Sequence, residues 1–75
     1  MLNSKVKFNS ADEVKEFVTA ASKCDFDIDI FYNRIIIDAK SLLGILSMDL
    51  TRNLDVRCYG ENSEFNRTLQ KFAVA

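Results

Sequence analysis

The chain has seventy-five residues with ten basic and eleven acidic side chains, a formal charge of -1 and no histidine. A chain this short builds one domain, read here as residues 1–75, and buries only about 60% of its unfolded surface. Hydrophobic residues at 48% and charged residues at 28% are ordinary for a globular fold, which argues against disorder. The interleaved charges lack the basic cluster that phosphate-backbone binding needs. No apolar run reaches 18 residues and residues 1–9 lack the apolar core of a signal peptide, so neither a membrane span nor export is expected and the chain reads as cytoplasmic. In that compartment Cys24 and Cys58 are expected as reduced, packed thiols.

Leu2, Ser4, Val6 and Phe8 alternate with Asn3, Lys5 and Lys7, the period-2 pattern of a half-buried first strand. Ser10 followed by Glu13 is an S-x-x-E capping pattern, and Ala11, Val14, Phe17, Val18 and Ala21 recur at helical spacing until about Lys23. Residues 25–32 alternate strictly as a second strand, with Phe26, Ile28, Ile30 and Tyr32 on one face. Asn33-Arg34 then occupies a two-residue hairpin turn; Arg34 stands where glycine is usual, which predicts a left-handed Arg34 at a cost of about 1 kcal/mol. The β-branched run Ile35, Ile36, Ile37 begins a third strand that ends at Ala39.

Ser41 suits an N-cap for a second helix whose Leu42, Leu43, Ile45, Leu46 and Met48 surround nearly its whole circumference, so some of them must face outward. After a polar connection over residues 49–53, Leu54, Val56 and Cys58 alternate in a fourth strand that stops at Gly60. Asn62 or Ser63 caps a last helix carrying Phe65, Leu69 and Phe72. The order βαββαβα predicts an α+β fold, an open-faced two-layer sandwich with a four-stranded sheet covered on one face by three helices.

The absence of histidine removes the usual general base, the commonest metal ligand and the phosphohistidine route together. Ser10, Ser22, Ser41, Ser47 and Ser63 have no motif that supplies a base, and Lys40 points away from Ser41 in most local geometries. Asp25, Asp27 and Asp29 open like a calcium loop, but Ile30 and Ile36 stand where that loop needs glycine and an acid. No enzyme, metal or cofactor is therefore expected. A βαββαβ order is shared with RNA-recognition domains, yet the basic-glycine-aromatic strand motif that stacks bases is missing, which argues against nucleic acid.

Ala39-Lys40-Ser41-Leu42-Leu43-Gly44-Ile45-Leu46-Ser47, with Ala21-Ser22-Lys23 and Tyr32-Asn33 upstream, resembles HPr, the histidine-containing phosphocarrier family of the bacterial sugar phosphotransferase system. The resemblance implies the same open-faced βαββαβα sandwich. It also implies regulation at Ser41, the position matching the serine that HPr kinase/phosphorylase modifies, and docking through Leu42, Leu43 and Leu46. In the family a histidine within a His-x-Arg-Pro context opens the first helix and carries the phosphoryl group; here that start reads Asn9-Ser10-Ala11-Asp12-Glu13, with Ser10 near the histidine's place. The expectation is a non-catalytic HPr-like regulatory or protein-binding domain related to phosphoenolpyruvate-dependent sugar transport and carbon catabolite regulation. Its expected partners are proteins, such as HPr kinase/phosphorylase or a transcriptional regulator. The alternatives are a phosphocarrier using Ser10 and a diverged paralogue with a purely interaction role.

Overall fold

The computed structural model describes residues 2–74, and for Leu2 the backbone alone. Its elements run β1 (Leu2–Val6), α1 (Ala11–Ser22), β2 (Ile28–Tyr32), β3 (Ile35–Asp38), α2 (Leu42–Leu46), β4 (Leu54–Cys58) and α3 (Ser63–Phe72). The strands form one antiparallel sheet in the order β1-β4-β2-β3, with the three helices packed on one face. Alternation decides which face is covered. Val6, Ile28, Ile30, Leu54, Val56 and Cys58 are buried beneath the helices, whereas Asn3, Lys5 and Asp55 of the opposite parity are exposed.

The helices supply the other half of the core through matching stripes: Val14, Phe17 and Ala21 from α1, Ile45 from α2, and Phe65, Leu69 and Phe72 from α3. Phe8 meets Phe17 and Phe72 at centroid distances of 5.2 and 5.3 Å, and Phe17 meets Phe65 at 5.5 Å. Each tilted pair adds about 1 kcal/mol beyond burial, which joins α1, α3 and the end of β1 through one aromatic chain. A Lys71–Glu16 ion pair of 2.6 Å links α3 to α1 at the surface, where such pairs contribute at most about 1 kcal/mol.

Four local expectations are corrected. Among the described residues the positive φ outside glycine falls at Asn33 (54°), so the turn strain sits on an asparagine, which tolerates it, and Arg34 is spared. Strand β2 begins at Ile28; Phe26 precedes it half-buried, its ring lying against Gly60. Ala11 is exposed and lies outside the buried stripe of α1, which is Val14, Phe17 and Ala21. Ala39 follows β3 as a buried turn residue whose N–H donates to the Ile28 carbonyl at 2.8 Å. Asn62 is the α3 cap, its Oδ1 accepting the Phe65 N–H at 2.9 Å. Cys24 and Cys58 are free and buried, and loss of hydration raises both thiols above their ordinary pKa.

The two edges of the sheet differ. Beyond β1 the chain end of α3 returns: Lys7 donates its N–H to the Phe72 carbonyl at 3.0 Å, Val74 donates to Lys5 at 2.8 Å, and Val6 bridges Ala73. Beyond β3 no described strand follows. Among the described residues no helix is long and apolar enough to cross a membrane.

Candidate functional site

Ser10 caps α1 in extended backbone (φ -158°, ψ 163°), its Oγ accepting the Glu13 N–H at 3.3 Å. The reciprocal half of the capping pattern is displaced by one residue. Glu13 Oε1 accepts the N–H of Asn9 at 2.8 Å, which closes the helix start one position earlier than the simple pattern expects. Ser10 is exposed and borders a shallow depression of about 270 Å³ lined also by Lys7, Phe8, Asn9, Ala11, Leu50 and Thr51. Asp49 next to this depression accepts the Thr51 hydroxyl at 2.5 Å and the Thr51 N–H at 3.0 Å, with Arg52 Nε 3.6 Å from its other oxygen. Those Thr51 bonds, side chain first, hold the Asp49 carboxyl below its usual range. The loop over residues 49–52 is therefore an ordered turn and forms one wall beside Ser10. Its proximity to Ser10 is a tertiary fact that a forty-residue separation hides, although the Asp-x-Thr spacing does signal the turn itself.

The start of α2 is more strongly determined. Asp38 takes the Lys40 N–H on Oδ1 at 2.9 Å and the Ser41 N–H on its carbonyl at 2.9 Å, turning the chain out of β3. Ser41 then caps α2, its Oγ accepting the Gly44 N–H at 3.1 Å. At the other end Ser47 Oγ donates to the Gly44 carbonyl at 2.6 Å. Gly44 permits the helix to lie against β3. A Cβ there would stand 2.8 Å from Ile37 Cγ2 and 2.9 Å from Ser41 Oγ. Lys40 does point away from Ser41, its Nζ reaching the Cys24 carbonyl at 3.0 Å.

In so short a helix the apolar residues separate by face. Ile45 is fully buried, Leu42 and Leu46 are half-buried against the core, and Leu43 is 82% exposed. The expected docking trio is thus unequal, because Leu42 and Leu46 fall on the same side as Ile45 at i+3 and i+4 spacing while Leu43 falls opposite. Ser41, half-buried, stands at the head of this helix, and Ser10 belongs to a different element start with its own cap.

The open face of the sheet carries a group that the sequence pattern does not reveal. Two cross-strand rows run Asn3, Arg57, Asp29, Asp38 and Lys5, Asp55, Phe31, Ile36. The Arg57 guanidinium lies over the Phe31 ring, 4.5 Å from its centroid, bridging the rows by a cation–π contact.

No family model matches the chain. Its backbone is similar to HPr-C-His from Thermoanaerobacter tengcongensis, with a TM-score of 0.76 and 22% identity over 95% of this chain and 89% of that one. It is also similar to the phosphocarrier protein HPr of Bacillus anthracis str. Ames, with a TM-score of 0.72 and 22% identity over 97% and 96% of the two chains. The chain has the HPr fold: a four-stranded open sheet with three helices.

Proposed function

We propose that this protein is a non-catalytic HPr-like regulatory and docking domain linked to the sugar phosphotransferase system. The observation that carries the reading is Leu43, 82% exposed on a helix capped by Ser41, in a chain with no histidine to accept a phosphoryl group. Leu43 is the apolar centre of the docking face and the exposed edges of Leu42 and Leu46 form its border. The partner is a protein, with HPr kinase/phosphorylase or a transcriptional regulator as the classes the resemblance implies, in the cytoplasm of a bacterium. Phosphorylation of Ser41 is the switch. It adds about two negative charges at the head of α2, next to the Leu43 surface, where the backbone N–H groups of the first turn tolerate an anion.

The competing reading makes Ser10 a phosphoryl carrier, supported by its exposure beside the depression with Lys7. Incubation with phosphoenolpyruvate and enzyme I, and separately with ATP and HPr kinase/phosphorylase, followed by intact mass and peptide mapping, separates the two. Acid-stable addition at Ser41 in the ATP reaction alone is expected. Transfer from phosphoenolpyruvate to Ser10 overturns the non-catalytic reading, and no addition in either reaction removes the switch and leaves a diverged docking domain.

A further inference from the structure

We propose that β3 is a self-pairing edge through which two copies of this chain join their sheets across a two-fold axis centred on Ile36. Residues 72–74 pair along the Lys5–Lys7 end of the β1 edge, whereas the opposite edge is three consecutive isoleucines, with Ile35 49% and Ile36 60% exposed and no lysine or proline to block pairing. The Ala39 N–H to Ile28 carbonyl bond fixes the phase of the β2–β3 ladder. Residues 35, 37 and 39 therefore turn their backbone groups toward β2, and Ile36 and Asp38 turn theirs outward to the edge.

Only one register of two antiparallel β3 strands matches outward groups to outward groups while opposing unlike charges. It sets Ile36 against Ile36 of the second copy, and Arg34 against Asp38 at both ends. On the open face this register extends both existing rows. Asp29 and Asp38 are neighbours of like charge, and the incoming Arg34 faces the second of them, continuing Arg57, Asp29, Asp38 with a cation. The other row becomes apolar at its centre, Phe31 and Ile36 meeting Ile36 and Phe31 of the second copy. A single strand pairing falls at the small end of protein interfaces, so the dimer is a weak one.

Sedimentation equilibrium of the full chain up to about 1 mM tests this, a range that reaches weak dimers. A monomer–dimer equilibrium is expected, with the Ile36 amide gaining hydrogen-exchange protection as concentration rises. Ile36→Lys sets two ammonium groups on the axis and returns the protein to monomer; Arg34→Asp weakens the dimer about tenfold at low salt, through two lost pairs. Both residues are exposed, so unchanged circular dichroism checks that each variant folds. A wild-type monomer at the highest concentration, a dimer that survives Ile36→Lys, or a dimer without protection at Ile36 overturns the proposal.

Discussion

The Lys40 ammonium donates to the main-chain carbonyl of Cys24 at 3.0 Å, tying the residue before the α2 cap to the chain leaving α1. Helix α2 has five residues and too few internal bonds to hold itself, so this tie and the Asp38 turn help fix its position. Lys40→Met keeps most of the stem's apolar area and removes the donor. It is expected to lower stability by about 1 kcal/mol, read from the urea midpoint.

Gly60 is an end-of-strand residue with a packing reason. A Cβ at this position would lie 2.5 Å from Phe26 Cδ1 and 2.6 Å from Cγ, so the ring occupies the space. Gly60→Ala forces that half-buried ring aside and is expected to cost about 1–3 kcal/mol. Thermal unfolding of Gly60→Ala beside Phe26→Leu checks the cause, because removing the ring should make the alanine far better tolerated.

Leu43 and Ile45 stand two residues apart in α2 and should respond oppositely. Leu43→Lys is expected to change stability by less than about 0.5 kcal/mol, since the side chain is 82% exposed, and to abolish capture of the docking partner. Ile45→Ala opens a cavity in a fully buried position and should cost about 2–5 kcal/mol. Denaturant titration paired with a binding measurement resolves the two effects.

Ser41 offers a similar separation. Ser41→Ala removes the acceptor of the Gly44 N–H and is expected to cost about 1 kcal/mol, whereas Ser41→Asp keeps a capping oxygen and holds stability near wild type. Partner affinity should follow charge. Ser41→Asp that leaves affinity equal to wild type would reduce the residue to a cap.

The buried thiols set an alkaline limit. Burial raises Cys24 and Cys58, with Lys40 opposing the shift at Cys24 and the Cys24 charge adding to it at Cys58. A raised folded pKa means the folded state holds its proton more tightly. The associated stability is complete below the unfolded thiol pKa and is lost as pH rises through the folded one. Unfolding free energy measured from neutral to alkaline pH under reducing conditions should decline above the ordinary thiol range, and Cys58→Ala should flatten that decline.

Alternation and helical spacing make the seven elements legible, because each strand has one wet face and each helix one buried stripe. Caps at Ser10 and Ser41 are likewise local and readable, and the third is narrowed to Asn62 or Ser63, of which the structure uses Asn62. The strand order is not, since periodicity gives faces and never neighbours. Which leucine of α2 stays exposed depends on how the helix rolls against Ile37, a contact set by Gly44. The left-handed turn residue falls at Asn33 and not at the Arg34 that the turn pattern predicted, because asparagine tolerates that region far better than arginine.

The C-terminal residues that hydrogen-bond along β1 bear on the geometry of assembly. A sheet with two open borders adds copies without end, since each joined molecule presents another border. Residues 72–74 take up the Lys5–Lys7 end of the β1 border, which leaves β3 as the longer free border, and the proposed pairing of β3 across a two-fold axis is used up when two molecules meet. In that proposed pairing, the extended segment 72–74 beside Lys5–Lys7 favours a finite pair over a growing fibre.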